Sequence, residues 1–122
     1  MFVPFTIAKK LKEKGFTLPV LEIYGKFDND GMFHSQLYCN YCETMDAEEI
    51  IAPTISQVSK WLRKEKSIIC LPHIEPIEEK WFFYVVKLPQ ASDFPEYLSS
   101  VIYNTYEEAA LAGIEWVLNN LI

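Results

Sequence analysis

Two short polar motifs decide most of what this chain can fold into. Thr54-Ile55-Ser56-Gln57 and Thr105-Tyr106-Glu107-Glu108 each have the form of a capping box. In that motif a threonine hydroxyl serves the amide three residues on, and the longer side chain reaches back to the start of the helix. Each motif therefore marks a helix N-terminus, and Pro53 sharpens the first because it cannot continue a helix from upstream. Downstream of Thr54, Ile55, Val58, Trp61 and Leu62 recur at three- and four-residue spacing, with Lys60, Arg63 and Lys64 on the other side. Downstream of Thr105, a helix is predicted over about Tyr106 to Asn120, with Ala109, Ala110, Gly113, Ile114, Val117, Leu118 and Leu121 on a wide apolar face. Ala109, Ala110 and Gly113 are small, which implies close approach to a sheet, and Glu107 and Glu108 suit the positive end of the helix dipole.

A third helix is predicted over Ile7 to Lys14, with Thr6 as its N-cap and Ile7, Ala8 and Leu11 as its apolar stripe. Gly15 can take the left-handed position that stops it, which would let Phe16 fold back on Leu11.

Strands are predicted between the helices. Leu18 to Phe27 and Met32 to Tyr41 read as a hairpin around Asp28-Asn29-Asp30-Gly31. Ile68 to Ile74 and Trp81 to Leu88 read as a second hairpin around Glu75 to Glu79. Trp81 to Val86 is apolar on both faces and belongs in the middle of a sheet; Pro72 removes a ladder donor, so its strand is an edge or is bulged there. Residues 89–104 form a long connection in which Asp93-Phe94-Pro95-Glu96 is read as a short helical turn packing Phe94, Tyr97 and Leu98. The expected fold is α+β in the order α-β-β-α-β-β-α, with a mostly antiparallel four-stranded sheet and the helices packed on one face. A length of 122 residues suits a single domain, 1–122, around one hydrophobic core.

Composition removes several classes of function. Half of the residues are apolar, with three Trp, seven Tyr and eight Phe, which excludes a disordered chain. No apolar run approaches the roughly 18 residues of a membrane helix. Met1 to Lys14 lacks the order of charge, apolar run and small-residue cleavage site of a secretory signal. Three cysteines in that setting imply a reducing compartment, so a cytoplasmic protein is expected. The formal net charge of −6 disfavours nucleic acid as a partner. That charge is uneven: basic residues gather in Lys9–Lys14 and Lys60–Lys66, while residues 27–59 carry none, and the basic islands are expected to be solvated helix faces.

The sharpest chemical constellation is Cys39-Asn40-Tyr41-Cys42 together with Cys70-Leu71-Pro72-His73, with His34 as a spare ligand. Three thiolates and one imidazole at these spacings could close a tetrahedral zinc site. Against it, Cys70 and His73 lie three apart on a predicted strand and so point to opposite faces unless Pro72 breaks it. A Cys39–Cys42 redox pair is disfavoured by Glu43, Asp46, Glu48 and Glu49, whose charge would raise the thiol pKa. Neither histidine sits in a nucleophile motif, the adjacent glutamate pairs diverge, and four scattered glycines form no phosphate loop. No catalytic residue, cofactor site or metal site is therefore assigned. The aromatic surplus points elsewhere. Tyr38, Tyr41, Phe94, Tyr97 and Tyr103 fall in loops and hairpin ends, and Trp116 lies beside the apolar stripe of its helix, which suits an interface with a protein partner or a homodimer.

Three stretches carry a resemblance. Ala52-Pro53-Thr54-Ile55-Ser56-Gln57 followed by Lys60-Trp61-Leu62-Arg63-Lys64-Glu65, Ala8 to Phe16 (AKKLKEKGF), and Tyr106-Glu107-Glu108-Ala109 with Ala112-Gly113 resemble the layout of a family of small uncharacterised proteins from phages, prophages and mobile elements of Bacteroides-type gut bacteria. The resemblance covers most of the chain, and its motifs are helix caps, so it implies a layout and no catalytic residues. The cysteine pairs lie outside that pattern, and Pro89 to Asn104 is longer than its counterpart. The expected function is that of a non-enzymatic interaction or regulatory protein of phage or mobile-element origin. The alternative is a zinc-binding or thiol redox module using Cys39, Cys42, Cys70 and His73.

Overall fold

The computed structural model describes residues 2–17, 24–28, 30–36, 50–89 and 94–122. Its elements are α1 (Phe5–Glu13), β1 (Tyr24–Phe27), β2 (Phe33–Gln36), β3 (Ile50–Ala52), α2 (Ile55–Glu65), β4 (Ile68–Glu75), β5 (Lys80–Lys87), β6 (Tyr97–Leu98) and α3 (Tyr106–Asn120). The fold is α+β, as expected, but the expected four-stranded sheet is replaced by two three-stranded antiparallel sheets, ordered β2-β1-β3 and β4-β5-β6. The β4–β5 hairpin is present as predicted, and of the first predicted hairpin β1 and β2 are present, while residues 18–23 and 37–41 lie outside the described residues. Each hairpin gains a third strand of three or two residues. Strands that short leave no period-two pattern to read, which is why the sequence hides them. The chain divides into two compact units, residues 1–57 and 58–122.

In the first unit α1 packs against β3, and Val3, Ile7, Ala8, Leu11, Phe16, Phe27, Ala52 and Ile55 are buried. Helix α1 starts two residues earlier than predicted: Pro4 is its N-cap, Thr6 lies inside the first turn, and no side chain caps it. The early start brings Phe5 edge-on to Phe27, with ring centroids 5.2 Å apart. Its end follows the sequence closely. Gly15 adopts φ +84°, the Phe16 N–H donates to Leu11 O at 3.0 Å, and the Gly15 N–H donates to Lys12 O at 3.1 Å. That pair of bonds is a Schellman motif, which satisfies carbonyls that the helix itself leaves open. The β1–β2 turn is held by Asp28, whose Oδ1 accepts from the N–H groups of Asp30 and Met32 while Oδ2 meets His34 Nε2 at 2.9 Å.

Helix α2 opens on the expected capping box: the Thr54 N–H donates to Gln57 Oε1 at 2.9 Å, and the Gln57 N–H donates to Thr54 Oγ1 at 3.1 Å. Ile55, Val58, Trp61 and Leu62 are all buried, as the spacing requires.

In the second unit α3 packs on β4 and β5. Strand β5 is central, as its apolar faces predict, and β4 lies at the sheet edge, as Pro72 predicts. The register explains how Pro72 is tolerated. It stands opposite Phe83, whose N–H and C=O both turn away to Ser99, so β5 asks for no donor at that position. Gly113 provides the close approach of α3: a Cβ there would overlap Cys70 Sγ and come within 3.1 Å of the Phe83 ring. At the start of α3 the Glu108 N–H donates to Thr105 Oγ1 at 3.1 Å, but the Glu108 carboxylate accepts from Asn104 N–H at 3.2 Å instead of closing the box on Thr105.

Candidate functional site

The second unit carries a cleft of about 250 Å³ between α3 and the segment that follows β5. That segment runs antiparallel along one edge of β5. Glu96 N–H donates to Val85 O at 2.8 Å, Ser99 N–H to Phe83 O at 3.0 Å, and Trp81 and Tyr103 exchange bonds of 2.8 and 2.6 Å. Between Ser99 and Tyr103 the ladder is interrupted, because Ser100, Val101 and Ile102 all stand opposite Phe82. The Ser99 hydroxyl bridges the interruption. It accepts from Phe83 N–H at 3.1 Å and donates to Val101 O at 3.1 Å. The bulge pushes Val101 and Ile102 outward, leaving them 57% and 54% exposed. The helical turn expected at 93–96 is corrected by the same pairing: Tyr97 and Leu98 join β5 as β6, and Phe94 stands 79% exposed. Asp93 lies outside the described residues.

The opposite wall is one face of α3. Ala112, Glu115, Trp116, Asn119 and Asn120 line it, at the three- and four-residue spacing of a helical stripe. This stripe lies beside the core stripe of Ala109, Ala110, Gly113, Ile114, Val117 and Leu118. The Trp116 indole stacks on the Tyr97 ring, with centroids 4.2 Å apart and planes 13° from parallel. Phe83 fills the floor, 5.6 Å from Tyr97 and 6.3 Å from Tyr103 between ring centroids. Burial first, and then the Tyr97 phenol and the Glu115 carboxylate, keep the Tyr103 hydroxyl protonated to higher pH than an ordinary tyrosine. Among the described residues lining the cleft, Glu115 is the one charged side chain. The arrangement therefore combines ring faces, hydroxyls and amides around a single carboxylate. Ser99, the hydroxyl nearest in type to a nucleophile, is already committed on both its donor and acceptor sides.

The cysteine and histidine candidates do not converge in this way. Strand β4 runs through Pro72 without a break, so Cys70 and His73 take opposite faces of the sheet. Cys70 is buried beneath Gly113, and burial pushes its thiol pKa up to about 12. His73 is exposed and lies edge-on to Phe82 and Tyr84, at 5.4 and 6.0 Å. His34 pairs with Asp28 at the β1–β2 turn. Cys39 and Cys42 lie outside the described residues, as do Tyr38 and Tyr41. Among the described residues no three His, Cys, Asp or Glu side chains gather as metal ligands. Among them, too, no helix is long and apolar enough to cross a membrane.

Of the aromatic residues singled out in the sequence, Tyr97, Tyr103 and Trp116 meet in the cleft. Trp81 instead sits edge-on to Tyr106 at 5.5 Å, and Trp61 lies beneath Lys66 Nζ at 5.5 Å. The sequence reading missed Ser99, Glu115, Asn119 and Asn120. The signal was present for three of them, since Ala112, Glu115, Trp116, Asn119 and Asn120 repeat at helical spacing next to the core stripe. The chain matches no family model, no curated protein and no solved structure.

Proposed function

We propose that this chain is a small non-enzymatic interaction protein, of phage or mobile-element origin, that holds a protein partner through the aromatic cleft and the apolar segment beside it. The origin rests on the resemblance of Ala8–Phe16, Ala52–Glu65 and Tyr106–Gly113 to that family's layout. The observation that carries the binding role is the clustering of exposed apolar side chains on one short segment. Phe94, Leu98, Val101 and Ile102 are 79%, 55%, 57% and 54% exposed, and they flank Tyr97 and Tyr103, which line the cleft. Of these, Val101 lines the cleft itself, whereas Leu98 stands opposite Tyr84 on the sheet face turned away from α3. Apolar and aromatic side chains exposed together on one segment are the usual composition of a protein-binding hot spot. A partner can be a different protein or a second copy of this chain.

The test compares the wild-type chain with a Val101→Asp/Ile102→Asp variant as bait in a bacterial host lysate and in a self-association measurement. Both side chains are exposed, so the variant is expected to fold normally. A protein, or a second copy, retained by the wild type and lost by the variant supports the reading. Equal retention by both baits, or no retained protein alongside turnover of a metabolite, overturns it.

A further inference from the structure

The composition of the cleft specifies what part of a partner it takes. Its volume of about 250 Å³ is below the roughly 300–1,000 Å³ of sites that enclose a whole drug-sized ligand, so it suits one long side chain. Its walls present the rings of Tyr97, Tyr103 and Trp116, and its one charged lining residue is the anion Glu115. Asn119 and Asn120 add amide groups on the helix side. The sequence that builds this unit has a charge of the same sign: from Ser67 to Ile122 it holds two lysines against eight acidic residues. A carboxylate set among ring faces favours a cation that can use both, and of the protein side chains the guanidinium does this best. It is planar, stacks on aromatic rings, is weakly hydrated, and presents donors in a fork that matches a carboxylate. Val101, which lines the cleft and is 57% exposed, offers an apolar contact for a residue beside it.

We infer that the cleft receives an arginine side chain of the partner, its guanidinium held between the Tyr97–Trp116–Tyr103 rings and the Glu115 carboxylate. This deepens the reading of the chain as an interaction protein and rests on it. The probe is a short capped peptide with one arginine flanked by leucines, compared with the same peptide carrying citrulline, which keeps the shape and loses the charge. Binding is followed by NMR through the Trp116 indole and the Tyr97 and Tyr103 ring signals. The arginine peptide is expected to move these signals saturably, the citrulline peptide to leave them in place, and Glu115→Gln to weaken binding about tenfold, the loss of one charge-assisted contact. The citrulline arm uses the unaltered protein, so it does not depend on how the variant folds. Equal shifts from both peptides, or none from the arginine peptide, overturn the inference. The parent reading fails separately, through equal retention of lysate proteins or second copies by the wild type and the Val101→Asp/Ile102→Asp variant.

Discussion

The Trp116 indole lies flat on the Tyr97 ring, 4.2 Å between centroids, and so fastens the last turns of α3 to the two-residue strand β6. The segment is bonded to β5 at Glu96, Ser99 and Tyr103, and the stack adds a side-chain attachment to α3. Truncating either ring to alanine is expected to cost about 2 kcal/mol, less than the loss of a fully buried ring because both are half-buried. A double-mutant cycle in chemical denaturation is expected to return a coupling of about 0.5–1.5 kcal/mol. Strict additivity of the two truncations would show that the stack fastens nothing.

Gly113 and Cys70 form a second dependent pair. A Cβ on residue 113 overlaps Cys70 Sγ, so Gly113→Ala is expected to destabilise by about 1–2 kcal/mol even though alanine is the better helix former. In a Cys70→Ala background the sulfur is gone and most of that cost should disappear. Thermal unfolding of the four proteins makes the comparison; an equal penalty in both backgrounds contradicts it.

Asp28 gives a prediction in pH. The hydrogen bond to His34, and then that from Met32 N–H, hold its carboxyl below the usual carboxylate range. A depressed folded-state pKa means that the proton binds better to the unfolded chain. The stabilisation is therefore complete above the ordinary Asp value of about 3.9 and is lost as pH falls through the lower folded value. His34→Ala is expected to move the Asp28 titration back upward in carboxyl NMR. An unchanged midpoint would assign the depression to the backbone donors alone.

The hairpin between β4 and β5 contains a removable strain. Glu79 sits at φ +56° in the turn, a left-handed conformation that costs a side-chain-bearing residue about 1–2 kcal/mol. Glu79→Gly is expected to stabilise by about 0.5–1 kcal/mol after the glycine's own entropy is counted. A drop in midpoint on denaturation would mean that the Glu79 side chain contributes more than its backbone costs.

What could be read in the sequence divides along physical lines. Caps are local, spanning three or four residues, so Thr54–Gln57, Thr105–Glu108 and the Gly15–Phe16 stop are visible without any knowledge of the fold. Core stripes are nearly as local, which is why Ile55, Val58, Trp61 and Leu62 are found where their spacing puts them. The third strand of each sheet is not local. Ile50–Ala52 and Tyr97–Leu98 exist because a partner strand waits for them, and Ser99 enters the ladder through its hydroxyl, which no periodicity records. The cleft is half legible for the same reason. Its helical wall repeats within α3, whereas Tyr97, Tyr103 and Phe83 reach it through pairing between β5 and a segment more than a dozen residues away.

The most direct test of the account is amide hydrogen exchange of the chain alone and with a protein it retains from host lysate. Exchange is expected to slow in two places, across Glu96 to Tyr103 and across Ala112 to Asn120, the two walls of the cleft. Slowing confined to α1 and the β1–β2 hairpin, with both cleft walls unchanged, would contradict the claim that this cleft is where the protein meets its partner.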